Sequence, residues 1–231
     1  MLILGLETSG QIASVALSDK SGLIAEYSAC KTRAHSETIL PMAQLLMREF
    51  GFMPHDLKAL SVNCGPGSFT GVRIGICIAN ALGAALNIPV VGVDSLSALC
   101  ENALWPHEVC VMLDARNESG YMARFLNGEI VSPPEAEKVE NFLCSVPEKT
   151  LFIGDGALAY KDLITAKVKD AVIAPSSFSI KRAGSLCSLA QKKLAASKEA
   201  PMQAVPLYLR QSQAERLWSL KCEDTVHGWG I

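Results

Sequence analysis

The chain has 231 residues, 49% hydrophobic and 19% charged, with 21 basic residues against 23 acidic and a formal net charge of −2. That length holds one large domain or two lobes of about 100 residues, each able to bury a core. The charge balance excludes a stand-alone nucleic-acid binder of the usual kind, which meets phosphates with clustered Lys and Arg.

Residues 2–6 read as an apolar strand, 12–18 alternate as a second and 23–27 make a third, with Asp19-Lys20-Ser21-Gly22 as the hairpin turn between the last two. Met1 leads directly into the first strand with no basic segment ahead of it, so no cleaved signal is expected. A helix is expected over 36–50, capped by Ser36, with Ile39, Met42, Leu46 and Phe50 on one side and Leu40 and Met47 beside them. Pro41 removes one interior hydrogen bond and is expected to kink its first turn.

The strand 59–63 runs into the most informative stretch, residues 63–85, where the turn Gly65-Pro66-Gly67-Ser68 opens a second helix. Gly71, Gly75, Ala79 and Gly83 recur there every four positions as one bare ridge. Each interior glycine costs a helix about 1 kcal/mol relative to alanine, so the ridge suggests another backbone in close approach. The free N–H groups at the helix start suit a phosphate or carboxylate, and both readings rest on the same residues. Residues 74–93 carry no charge over about the length of a membrane span, but Asn87-Ile88-Pro89 breaks them before the β-branched strand 90–93, so no span is expected. A short helix over 95–103 completes a βββαβαβα unit.

The pattern begins again at Val109, 107 positions after Leu2. Residues 109–114 parallel 2–7, with an acid ending the strand both times, and 128–131 parallel 22–25. Residues 151–156 repeat the run from strand through G-x-G turn toward a helix, 171–174 form a further short strand, and a helix over 180–196 is expected to close the second unit. With Pro106 at the junction, the fold class is α/β, two tandem βββαβαβα lobes over 1–104 and 105–231, the second reduced.

The eight cysteines lack CxxC spacing and several lie in apolar runs, which suits reduced thiols in a cytoplasmic protein. The histidines at 35, 55, 107 and 227 make no i, i+4 metal pair, and His35 is expected to hydrogen-bond locally. Gly67-Ser68-Phe69-Thr70-Gly71 is not a G-x-S-x-G elbow, so Ser68 reads as a cap and Cys64, at the end of its strand, as core. Arg73, beside the turn, suits a partner carboxylate or a nucleotide phosphate, and a solvated arginine is the plain reading. Residues 221–231, with Trp229 and with Trp218 just ahead of them, read as a tail or a docking strip.

Two such lobes, each with an acid after its first strand, resemble the actin, sugar kinase and Hsp70 superfamily, the actin-like ATPase (ribonuclease H-like) type, in which ATP lies between the lobes. More narrowly, GPGSFTGVRIG (65–75), LGLETSG (4–10), HSETILP (35–41), LDARNESGY (113–121) and VPLYLR (205–210) resemble the TsaB (YeaZ) family. The resemblance implies a non-catalytic subunit in the formation of threonylcarbamoyladenosine on tRNAs that read codons beginning with A. It implies a catalytic TsaD-type partner, a TsaE-type ATPase, a homodimer when alone, tRNA met only through the complex, and no membrane. It also implies partner contact through the helices 36–50 and 71–86, for which the candidates are Met42, Leu46, Met47, Gly71, Arg73, Gly75, Ala79 and Gly83.

An actin-like ATP site needs a bare glycine after each strand-ending acid, and Glu7-Thr8-Ser9-Gly10 and Asp114-Ala115-Arg116-Asn117 lack it. No catalytic residue, metal site or cofactor is therefore expected in the isolated chain, and nothing in it supports a glycoprotease reading. ATP or ADP with Mg would belong to the complex interface, with Glu7, Ser9 and Asp114 as the residues to hold it. The competing reading is a stand-alone ATP-dependent phosphotransferase or ATPase with Glu7 and Asp114 on Mg.

Overall fold

The computed structural model describes residues 1–30, 35–197 and 199–210; the expected C-terminal tail with Trp218 and Trp229 lies outside them. The first sheet is built from β1 (Leu2–Glu7), β2 (Ile12–Asp19), β3 (Gly22–Cys30), β4 (Leu57–Asn63) and β5 (Val90–Val93), in the order β3-β2-β1-β4-β5. β2 is antiparallel to both β1 and β3, whereas β4 and β5 continue in parallel from β1. The central strand β1 is buried along its whole length, as a continuous apolar run requires when helices cover both faces.

Two long helices, α1 (His35–Glu49) and α2 (Phe69–Leu86), cover one face, packing Ile39, Leu46, Val72 and Ile76 on Leu4, Leu6, Val15, Leu60 and Val62. α1 begins at His35 and runs on through Pro41, so Ser36 lies inside the helix rather than capping it. A short 3₁₀ turn, Pro54–Asp56, leads into β4. α3 (Ser95–Cys100) starts at Asp94, whose Oδ1 accepts from Ser97 N at 2.8 Å.

The second sheet holds β6 (Val109–Asp114), β7 (Ser119–Leu126), β8 (Glu129–Lys138), β9 (Leu151–Ile153) and β10 (Val172–Ile173), in the order β10-β9-β6-β7-β8. Read from the other edge this is the order of the first sheet, so the two lobes share one topology. β8 is longer than the four-residue strand expected at 128–131. The hairpin partner β7 supplies most of its backbone bonds, and exposed polar side chains mask its period. The helices on this sheet, α4 (Val139–Leu143), α5 (Asp155–Ala159) and α6 (Lys161–Lys167), have five to seven residues where α1 and α2 have 15 and 18, and there the second lobe is reduced.

The last helix, α7 (Ala183–Ala196), does not close the second unit as expected. It crosses to the uncovered face of the first sheet, where Ala183, Leu186, Cys187 and Ala190 pack on Ile3, Ala16, Ala59 and Val91. The cause lies in β1. A Cβ on Gly5 would stand 2.6 Å from the Ala183 carbonyl and 2.7 Å from the Cys187 sulfur, so the glycine admits the helix backbone. α3 makes the reverse exchange, setting Leu96 and Leu99 of the first unit among Val111, Leu113, Phe125 and Ile153 of the second sheet. α3 and α7 together form the layer between the sheets.

Candidate functional site

α2 is placed by its caps. Ser68 Oγ accepts from Gly71 N at 3.2 Å, as a helix-starting serine should, and Asn87 ends the helix in the left-handed region at φ 54°. The bare ridge faces inward: Gly71, Gly75, Ala79 and Gly83 are buried on the chain's own structure. A Cβ on Gly71 would strike the Thr8 carbonyl, one on Gly75 the Thr8 hydroxyl, and one on Gly83 the Val90 side chain. Thr8 Oγ1 also donates to the Gly71 carbonyl at 2.7 Å.

This corrects the expectation that the ridge meets a partner: the backbone in close approach is the turn after β1. Leu46 and Met47 are core residues too, and Met42 is half-buried against them. Of the eight residues expected at a partner surface, Arg73 alone is exposed.

The opposite row of α2 is open. Arg73, Cys77, Ala81 and Ala85, each one turn after the last, are exposed with Ala84 beside them, and Ile74 and Ile78 are half-buried at their margin. Arg73 is the sole charge on the 18-residue helix. A helix facing water normally carries Lys and Glu on that side, so the absence of charge was the available signal for this face, obscured by the more conspicuous glycines. α1 adds exposed Pro41, Gln44, Leu45 and Arg48. By length and composition α2 could also cross a membrane, with 33% of it buried in the chain.

Residues 199–210 run as an extended strap past β5 and α2. Val90 N donates to Pro201 O at 2.8 Å, Asn80 and the Ala204 backbone exchange two bonds at 2.9 and 3.0 Å, and Leu207 N donates to Cys64 O at 2.7 Å. The strap delivers Tyr208 to Arg73, whose Nε donates to the phenol oxygen at 2.8 Å. The guanidinium carbon lies 3.8 Å from the centre of the Phe69 ring, which stacks on Tyr208 at 5.0 Å.

At the C-terminal end of β1, Glu7 is wholly buried. Its Oε1 accepts from Ser9 N at 2.6 Å and its Oε2 from Asn63 Nδ2 at 2.5 Å. Asn63 Oδ1 in turn accepts from Gly65 N and Ser95 Oγ, so the carboxylate organises the Gly65–Gly67 turn. Ser9 is buried as well, and its carbonyl receives Ser68 N at 2.8 Å. Neither residue presents an open oxygen to a Mg-nucleotide, and the Thr8 side chain fills the place of the phosphate glycine. Glu7 and Ser9 do not fit that group. Asp114 is exposed, with Oδ1 accepting from Arg116 N at 2.8 Å and from Tyr160 Oη at 3.0 Å; burial first and this contact second raise the tyrosine above its ordinary range.

His35 Nε2–H donates to the Gly10 carbonyl at 2.7 Å, so its partner is the turn between β1 and β2, 25 positions away, and not the local group expected. The Cys64 thiol is pushed up to about 11, by burial first and Asp94 second, which removes it as a nucleophile at neutral pH. Among the described residues, no three His, Cys, Asp or Glu side chains gather as metal ligands, and seven cysteines are free thiols.

The family described as TsaD, tRNA N6-adenosine threonylcarbamoyltransferase, matches residues 23–218. The tRNA threonylcarbamoyladenosine biosynthesis protein TsaB of Bacillus subtilis is 31% identical over 227 residues, 94% of this chain and 98% of that protein. TsaB of Escherichia coli is 31% identical over 229 residues, 93% and 96% of the two chains. The solved structure of YeaZ from Pseudomonas aeruginosa superposes with a TM-score of 0.77 at 27% identity, covering 90% of this chain and 99% of that one.

Proposed function

The chain belongs to the TsaB family of tRNA threonylcarbamoyladenosine biosynthesis proteins, and from that membership we propose that it is the non-catalytic subunit that docks a TsaD-type catalytic subunit, to which a TsaE-type ATPase is added. The observation that carries this reading is the two-sided character of α2. Its inner row is locked on the β1 turn, which makes the helix rigid, and its outer row of Cys77, Ala81, Ala84 and Ala85 stands in solvent without a charge. Small side chains on a rigid helix let a second helix come close and pack ridge into groove. The buried, fully bonded Glu7 speaks against a stand-alone phosphotransferase, since Mg-ATP would have to displace the Asn63 and Ser9 bonds.

Ala81→Glu tests the reading, because it puts a charge in the centre of the outer row without touching the core. The variant is expected to keep the wild-type melting temperature, to lose the co-eluting complex with the TsaD-type subunit on a sizing column, and to fail to restore threonylcarbamoyladenosine in tRNA. A variant that still assembles and still supports modification overturns it.

A further inference from the structure

Arg73 is the one charge on an otherwise uncharged helix face, and it is held in place. Its Nε–H is spent on Tyr208, its guanidinium carbon sits over the Phe69 ring, and among the described residues its two Nη groups bond no carboxylate or carbonyl. Phe69 and Tyr208 are 38% and 46% exposed, so the clamp is at the surface and leaves the Nη edge open. A stacked guanidinium has already lost its rotamer freedom and presents a planar pair of donors that matches one carboxylate. Arg73 also stands one turn before Cys77 and two turns before Ala81, so whatever covers that row covers the guanidinium as well. Covered without a counter-charge it opposes binding, and covered with one it favours it.

Resting on the docking reading above, we infer that Arg73 is a selectivity residue: clamped by Phe69 and Tyr208, it receives a carboxylate from the helix of the partner subunit and thereby favours that partner over a second copy of this chain. A second copy's α2 has no carboxylate anywhere in Phe69–Leu86. Parallel pairing of two α2 helices sets arginine against arginine, and antiparallel pairing sets it against Asn80–Leu86, which is uncharged. The strap therefore contributes to partner choice from a position 135 residues away in sequence.

The experiment compares the full chain, Arg73→Met, Arg73→Lys and Tyr208→Ala. It measures calorimetric affinity for the TsaD-type subunit at low and physiological salt, and self-association by sedimentation. Arg73→Met is expected to bind the partner at least tenfold more weakly with a flattened salt dependence, while self-association stays constant or tightens. Arg73→Lys and Tyr208→Ala should fall between, because each keeps one part of the clamped charge. Arg73→Glu should regain affinity when one acidic residue of the partner's docking helix is changed to lysine. Unchanged binding by Arg73→Met, equal weakening of the homodimer, or a loss seen only with added nucleotide, which would mark a phosphate as the oxyanion, each overturns the inference. If Ala81→Glu abolishes the complex and Arg73→Met leaves it intact, the selectivity role fails and docking stands. If Ala81→Glu leaves the complex intact, docking itself fails.

Discussion

At the scale of single residues, Glu7 is tied into the fold by two N–H donors and has no contact with solvent. Glu7→Gln keeps its shape but turns one acceptor into a donor facing Ser9 N or Asn63 Nδ2, so one buried bond becomes a clash of donors. The expected loss is about 1–3 kcal/mol, read as a lower denaturant midpoint with an unchanged slope. An unaltered midpoint would mean the carboxylate is not held as described. The acid itself was visible in the sequence because it ends an apolar strand. Its role was not, because the deciding partner, Asn63, lies 56 positions away and only the parallel register of β1 and β4 brings the two together. The same holds for Tyr208, which nothing in the local sequence ties to Arg73.

At the scale of elements, α2 carries two rows of small residues with opposite fates. The inner row was legible as a demand for close approach, since glycines in a helix interior are costly and need a cause. Which backbone approaches was not legible, because a row of Gly and Ala suits the chain's own β1 turn as well as a foreign helix. Gly75→Leu separates the two: overpacking against Thr8 and Val62 should cost about 3 kcal/mol and lower the melting temperature, in contrast to Ala81→Glu on the other side of the same helix. A Gly75→Leu protein with wild-type stability would return the inner row to the surface. α7 carries a similar lesson. Its existence and its end at Ala196 were readable, although it starts at Ala183 and not at 180, but its buried side chains, Ala183, Leu186, Cys187 and Ala190, are compact enough to lie on either sheet. Gly5, a single residue in a distant strand, makes room for it on the first.

At the scale of the whole molecule, the strand order of both sheets follows the repeat seen in the sequence, and so does the exchange of α3 and α7, the last helix of each unit, each of which covers the other unit's sheet. The first sheet relies on a helix from the second half and the second sheet on one from the first, so neither lobe keeps its core when the other unfolds. Heating is expected to give one calorimetric transition whose measured and van't Hoff enthalpies agree, with a ratio of about 1. Two resolved transitions would show that the lobes melt independently.

The exchanged helix also sets an order of events on the ribosome. β1 to β5 leave the exit tunnel first, yet the cover for Ile3, Ala16, Ala59 and Val91 is encoded only from Ala183 to Ala196. At roughly 5–20 residues per second, the earliest sheet to be made waits on the order of 5–20 s, with one apolar face bare, for the last helix to be synthesised. Its exposure to chaperones and to neighbouring nascent chains is therefore decided by the rate of translation between Val93 and Ala183, a stretch that contributes little to that face.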